Sequence, residues 1–183
     1  MMDHKLLELA REEGFYAAVI PAADVPVDPK FRAFCEQNLC GQYNANYSCP
    51  PDCGTVEELH QNILAQEKAL VISTIWDIES FDDKCAVRNA KEAHNAAVLR
   101  LMKKVREAGC VGFCTGYNGC PLCDPCLRQK KLPCAHPDKR ISCMSAYCID
   151  VAKLAERCSL EFGWIPGKLF LFGMIAYHEE AAK

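Results

Sequence analysis

A chain of 183 residues, 50% hydrophobic and 25% charged, can bury a core without covalent staples. Its formal net charge of −3 and sequence pI near 6.0 exclude the broadly basic surface that a nucleic-acid partner demands, and no apolar run approaches the roughly 20 residues of a membrane-spanning helix. The 14 cysteines are then the informative feature, because in a reducing cytosol they read as metal ligands or redox groups rather than disulfides.

Met1 to Arg11 places Leu6, Leu7, Leu9 and Ala10 on one side of a helix and does not read as an export signal, so a cytoplasmic protein is expected. The helix should stop at Gly14, and Phe15 to Ile20 reads as a strand before Pro21, Pro26 and Pro29 break the pattern. From Cys35 to Gly54 no helical or strand period exists, so a loop is expected whose order comes from something other than a core. Thr55 and Glu58 form a capping-box pair that opens a helix carrying Leu59, Ile63 and Leu64. Ala69 to Trp76, rich in β-branched residues, reads as a buried strand. Ser80 and Asp83 mark the next N-terminus, after which apolar residues from Val87 to Ala108 recur at helical spacing up to Gly109. Cys110 to Cys114 reads as a short strand and Thr115 to Arg140 as a second irregular stretch. A helix from about Met144 to Cys158 and a strand from Lys168 to Tyr177 follow. This alternation predicts an α/β fold with a small, mostly parallel sheet of about four strands flanked by helices. One domain over residues 1–183 is expected, with two cysteine-rich metal-binding loops at about 35–54 and 114–137.

The second loop contains Cys120, Cys123 and Cys126 at C-x2-C-x2-C spacing, followed by Cys134. Three thiolates so spaced can each reach a different iron of one cubane, whereas tetrahedral zinc takes two cysteines from one knuckle and leaves the third idle. The seven-residue gap before Cys134 departs from the bacterial ferredoxin run, so Cys134 and Cys114 compete as the fourth ligand. In the first loop Cys35, Cys40, Cys49 and Cys53 fall within nineteen residues, and their x4, x8 and x3 gaps match no common zinc knuckle. Irregular polar loops offer no core to hide cysteines in, so these eight are the expected ligands of two [4Fe-4S] clusters.

Three stretches give the chain a family likeness. They are the Cys35 to Gly54 loop with Tyr47-Ser48-Cys49-Pro50-Pro51, the Cys120 to Pro137 loop, and Arg140 to Val151 with Ser142, Met144 and Ile149-Asp150-Val151. In these the chain resembles a cysteine-rich family of predicted metal-binding proteins of unknown function, found mainly in anaerobic bacteria and archaea. The likeness spans nearly the whole chain and implies metal binding of iron-sulfur type. It supplies no reaction and assigns no role to Cys143 or Cys148.

Elsewhere, Cys85, Cys110 and Cys158 read as small core hydrophobes, and His94 as a core histidine on the apolar face of the long helix. His136 reads as a support beside the ligands, and Tyr43, Tyr47 and Tyr117 equally as shields against water or as ordinary packing. The first loop is acidic, with Glu36, Asp52, Glu57 and Glu58 and no lysine or arginine from Cys35 to Glu58. The second sets Arg128, Lys130, Lys131, Lys139 and Arg140 against Asp124 and Asp138. Cations favour the reduced cluster, so the second site should have the higher potential, and its basic stretch reads either as a merely solvated face, the commoner case, or as a dock for an acidic redox partner. No nucleotide-binding glycine motif, nucleophile elbow or catalytic carboxylate pair is present, which makes electron transfer or redox relay the leading expectation. An enzyme using one cluster with an open iron site is the alternative, and a structural zinc protein the third reading.

Overall fold

The computed structural model describes residues 1–180. Helix α1 (Met2–Glu12) buries Leu6 and Ala10. Gly14, in the left-handed region at φ +88°, turns the chain out of it into strand β1 (Tyr16–Pro21). A short helix α2 (Arg32–Glu36) opens the first cysteine loop. Helix α3 (Val56–Leu64) starts on the capping box expected from sequence: Thr55 Oγ1 accepts from the Glu58 N–H at 3.2 Å, and the Glu58 carboxylate accepts from the Thr55 N–H at 2.8 Å. Strand β2 (Lys68–Asp77) then leads to α4 (Lys84–Glu107), capped by the Asp83 carboxylate at the amides of Cys85 and Ala86. Strands β3 (Cys110–Gly116) and β4 (Ser142–Cys143) flank the second cysteine loop, and α5 (Val151–Cys158) and β5 (Lys168–Glu179) complete the order.

The sheet has five strands in the order β1-β2-β5-β3-β4, and only the β3–β4 pair is parallel. This corrects the expected mostly parallel sheet of about four strands. β2 and β3, joined through α4, do run in one direction, but β5 inserts between them and pairs antiparallel with both. Alternation of strands and helices sets relative direction; it says nothing of which strands become neighbours. β4, two residues long, is too short to have a pattern of its own.

Two cores sandwich the sheet. On one face, Leu70 and Ile72 of β2 and Ile175 of β5 pack with Leu6 and Ala10 of α1 and Val98, Leu101 and Val105 of α4. On the other, Ala69 and Val71 of β2 and Phe172 and Met174 of β5 pack with Leu59 and Ile63 of α3 and Leu154 of α5. The alternation is that of a strand buried on both faces. Each fully buried Leu or Ile stabilises by roughly 1.5–3 kcal/mol, so the β2–β5 ladder is the rigid centre. Cys110 and Cys114 belong to the first core, and Cys158 packs at the edge of the second. Cys85 differs from expectation: it is exposed in the first turn of α4.

The last helix also starts later than expected. Residues 144–148 form turns and Ile149 bridges to Val27, with Cys148 in the left-handed region at φ +55°, a conformation an α-helix does not admit. Asp150 then caps α5 by accepting from the Lys153 N–H at 3.2 Å. No helix among the described residues is long and apolar enough to cross a membrane.

Candidate metal centre

Both cysteine loops meet beyond the C-terminal ends of β3 and β4. The Asn46 amide donates to the Cys120 carbonyl at 3.1 Å, the Tyr47 hydroxyl to the Leu132 carbonyl at 2.7 Å, and the Ser142 hydroxyl to the Ser48 carbonyl at 2.5 Å. Arg128 of the second loop forms an ion pair with Asp52 of the first at 2.8 Å and also donates to Asn44. Gly119 lies where the loops are closest. A Cβ there would stand 3.1 Å from Cys49 Sγ and 3.0 Å from the Gln42 side chain, so a larger residue would push the loops apart.

The four cysteines of the first loop lie within electrostatic reach of Cys49 or of one another, and Cys143 and Cys148 join them. Cys35 sits one helical turn after Arg32 on α2, and the Cys53 N–H donates to the Cys49 carbonyl at 3.0 Å, placing those two one turn apart. Cys143 arrives at the end of β4, and Cys148 in the turn behind it. Burial, with Cys143 as the next cause, pushes the Cys35 thiol up to about 12, and Cys40 and Cys148 add to the shift. Burial likewise raises Cys49, whose thiolate would be further repelled by Cys143, Cys40, Cys53 and Cys35. Cys143 itself is pushed up to about 11 by burial, opposed by the Ala146 N–H donating to its sulfur at 3.3 Å and reinforced by Cys40 and Cys53. Cys143 therefore stands within electrostatic reach of all four loop cysteines, although nothing in the spacing pointed to it.

Arg32 is the cation at Cys53. Its guanidinium donates to Cys53 Sγ at 3.9 Å and to the carbonyls of Gly54 and Ala146 at 3.3 and 3.1 Å, while its buried Nε has no partner among the described residues. It opposes the burial that raises the Cys53 and Cys148 thiols. Tyr117 stands half-buried beside the group, its backbone clasped by Asn95 in two hydrogen bonds of 2.8 and 2.6 Å, and Lys91 lies 4.4 Å from its ring centroid. Burial raises the Tyr117 hydroxyl, and Cys143 and Cys40 add to the shift.

The second group is simpler. Cys120, Cys123, Cys126 and Cys134 line one small cleft with His136. Burial first, then Cys126, Cys120 and Cys134, raise the Cys123 thiol. The His136 N–H donates to Cys134 Sγ at 3.4 Å, so this residue supports the group through its backbone. Cys114, the rival to Cys134, is 5% exposed in the α4-side core and is pushed up to about 12 by burial. The cleft thus gathers Cys134 and leaves Cys114 out.

Among the described residues no three His, Cys, Asp or Glu side chains close on one point as a single metal ion requires. Tetrahedral zinc would hold its sulfurs about 3.8 Å apart. A cubane spreads its thiolates over four irons and asks for wider spacing. The donor sets fit a thiolate-held metal or cluster in chemistry: sulfur ligands, backbone N–H groups aimed at sulfur at Cys143 and Cys134, and a cation with an unused donor at Arg32.

No curated protein and no solved structure matches the chain. Residues 18–176 match the family described as predicted metal-binding protein, DUF2284, a span that includes all eight loop cysteines together with Arg32, Cys143 and Cys148. A chain whose thiols gather in two groups at one end of its sheet, and which matches that family over most of its length, belongs to the predicted metal-binding proteins of DUF2284.

Proposed function

We propose that this metal-binding protein holds two [4Fe-4S] clusters and serves in electron transfer or redox relay. The observation that supports this most is the gathering of two all-thiol groups on loops that are hydrogen-bonded to each other. Cys120, Cys123, Cys126 and Cys134 would hold one cluster. Cys35, Cys40, Cys49 and Cys53 would hold the other, with Cys143 within electrostatic reach of them. A bound cubane cluster takes up and returns one electron at a time. The chain's own part is to exclude water, fix the sulfurs and set the local charge. Arg32 stabilises added negative charge at the first group, and the backbone amides at Cys143 and Cys134 share that task.

Of the basic residues in the second loop, Arg128 is engaged by Asp52 and Arg140 donates to the Tyr47 carbonyl at 3.3 Å. Lys130, Lys131 and Lys139 are exposed and enter no ion pair among the described residues, so they are the part of that stretch available to an acidic redox partner. Dithionite reduction of oxygen-free protein followed by electron paramagnetic resonance tests the reading. Two overlapping signals of reduced cubanes are expected, one lost in Cys123→Ala and the other in Cys49→Ala. A single signal untouched by either variant would contradict it.

A further inference from the structure

Between the first cysteine loop, α4 and the outer edge of β3 lies a cavity of about 780 Å³, a size within the roughly 300–1,000 Å³ of small-molecule sites. Only one cysteine of either group, Cys53, reaches its wall, so it is distinct from the space the thiols enclose. Its lining divides by chemistry. Leu59, Leu99, Phe113 and Tyr147 give an apolar wall, with the Phe113 and Tyr147 rings stacked at 5.0 Å between centroids. Lys103, Arg106, Lys139 and Arg140 stand against Asp138 as the only acidic residue of the lining.

Those cations are poorly compensated. Lys103 pairs with Glu107 at 3.7 Å on the exposed side of α4, but Arg106, Lys139 and Arg140 enter no ion pair among the described residues. Arg106 donates to the Asp138 carbonyl at 3.1 Å and Arg140 to the Tyr47 carbonyl at 3.3 Å, neutral acceptors that leave the full charge in place. Ser48 also lines the cavity, 3% exposed, with its hydroxyl buried and without a partner among the described residues. The open edge of β3 adds backbone donors. Pairing with β4 begins only at Thr115, and because Gly109 accepts from the Glu180 N–H, the ladder's alternation turns the amide of Cys114 away from β5.

We propose that this cavity binds a small organic anion, its apolar body against Phe113 and Tyr147 and its carboxylate, sulfonate or phosphate head among Arg106, Lys139 and Arg140. Cys53 in the wall makes the bound molecule a neighbour of the first thiol group. That it is a substrate or effector facing a cluster rests on the iron-sulfur reading; the binding itself does not.

The test titrates the oxygen-free full chain with 1-anilinonaphthalene-8-sulfonate, which has an apolar ring system and one sulfonate, and with N-phenyl-1-naphthylamine, the same rings without charge. Saturable binding of the sulfonate at one site is expected. Arg106→Gln/Arg140→Gln should weaken it at least tenfold and leave the neutral probe within twofold, and Leu99→Trp should weaken both. Lys103→Gln/Lys139→Gln, at exposed positions where folding is not in question, should weaken the sulfonate about threefold. Unchanged sulfonate affinity in both charge variants, or an equal loss for the two probes, overturns the proposal. Iron and sulfide measured on the same samples separate the two readings: sulfonate binding without iron removes the cluster and keeps the anion site, and iron without sulfonate binding does the reverse.

Discussion

The first cysteine group draws its thiols from α2 and the turns after it, from the end of β4 and from the turn at Cys148, whereas the second takes all four from the continuous stretch Cys120 to Cys134. Cys49 and Cys148 of the first are 4% and 0% exposed, while the four of the second lie in a partly open cleft. One group depends on the sheet and its crossovers being in place; the other depends on spacing and a few local turns. Sulfurs near in sequence can hold a metal with little help from the fold, and sulfurs brought from afar make the metal part of the fold.

The largest expected effect breaks the two groups apart. Cys123→Ala should remove roughly half of the bound iron and leave the unfolding transition nearly unchanged, because its loop contributes little core. Cys49→Ala should remove the other half and also lower stability by about 1–3 kcal/mol through the cavity left at a buried site. Equal stability of the two variants in guanidinium unfolding would erase the distinction. Next is the acid limit of the scaffold both groups share. His94 is fully buried, with Nδ1 2.8 Å from the Thr74 hydroxyl, and burial lowers its pKa from 6.5 to about 4. Below pH 6.5 the unfolded chain therefore binds a proton that the folded chain refuses until about pH 4. Stability present above pH 6.5 is lost as the pH falls through that window, by up to about 3 kcal/mol. Unfolding at pH 7 and 4.5 should show a much smaller loss in His94→Gln; an equal loss would remove His94 as the cause.

Smaller effects sharpen the contrast in charge. Arg32→Gln should lower the potential of the first cluster by roughly 40 mV, the equivalent of about 1 kcal/mol of lost cation stabilisation, and leave the second unmoved. A spectroelectrochemical titration in which both clusters shift together would contradict this. Smallest is Arg128→Ala, which severs the tie to Asp52 and Asn44 and should cost about 1 kcal/mol in stability by chemical unfolding, with iron content unchanged.

The contrast between the groups also explains what could be read from sequence. Cys120, Cys123 and Cys126 announced themselves by spacing, the Thr55–Glu58 box and the Asp83 cap by short-range chemistry, and four of the five strands by their apolar runs. Cys143 and Cys148 gave no such signal, because they reach the first group through β4 pairing with β3 and through the left-handed turn at Cys148. Arg32 lies just before the segment whose charge was counted, and enters through one turn of α2. The expectation of a higher potential at the second site loses its basis on this point: a cation stands at Cys53, and Arg128 is committed to Asp52. The antiparallel insertion of β5 was equally hidden, since strand adjacency is decided by packing across the whole chain.

Quantifying iron and acid-labile sulfide per chain in protein purified without oxygen bears most directly on whether the thiols of these two loops hold iron-sulfur clusters. Two cubanes predict about eight of each, falling to about four in Cys123→Ala. Stoichiometric zinc with neither iron nor sulfide would contradict it.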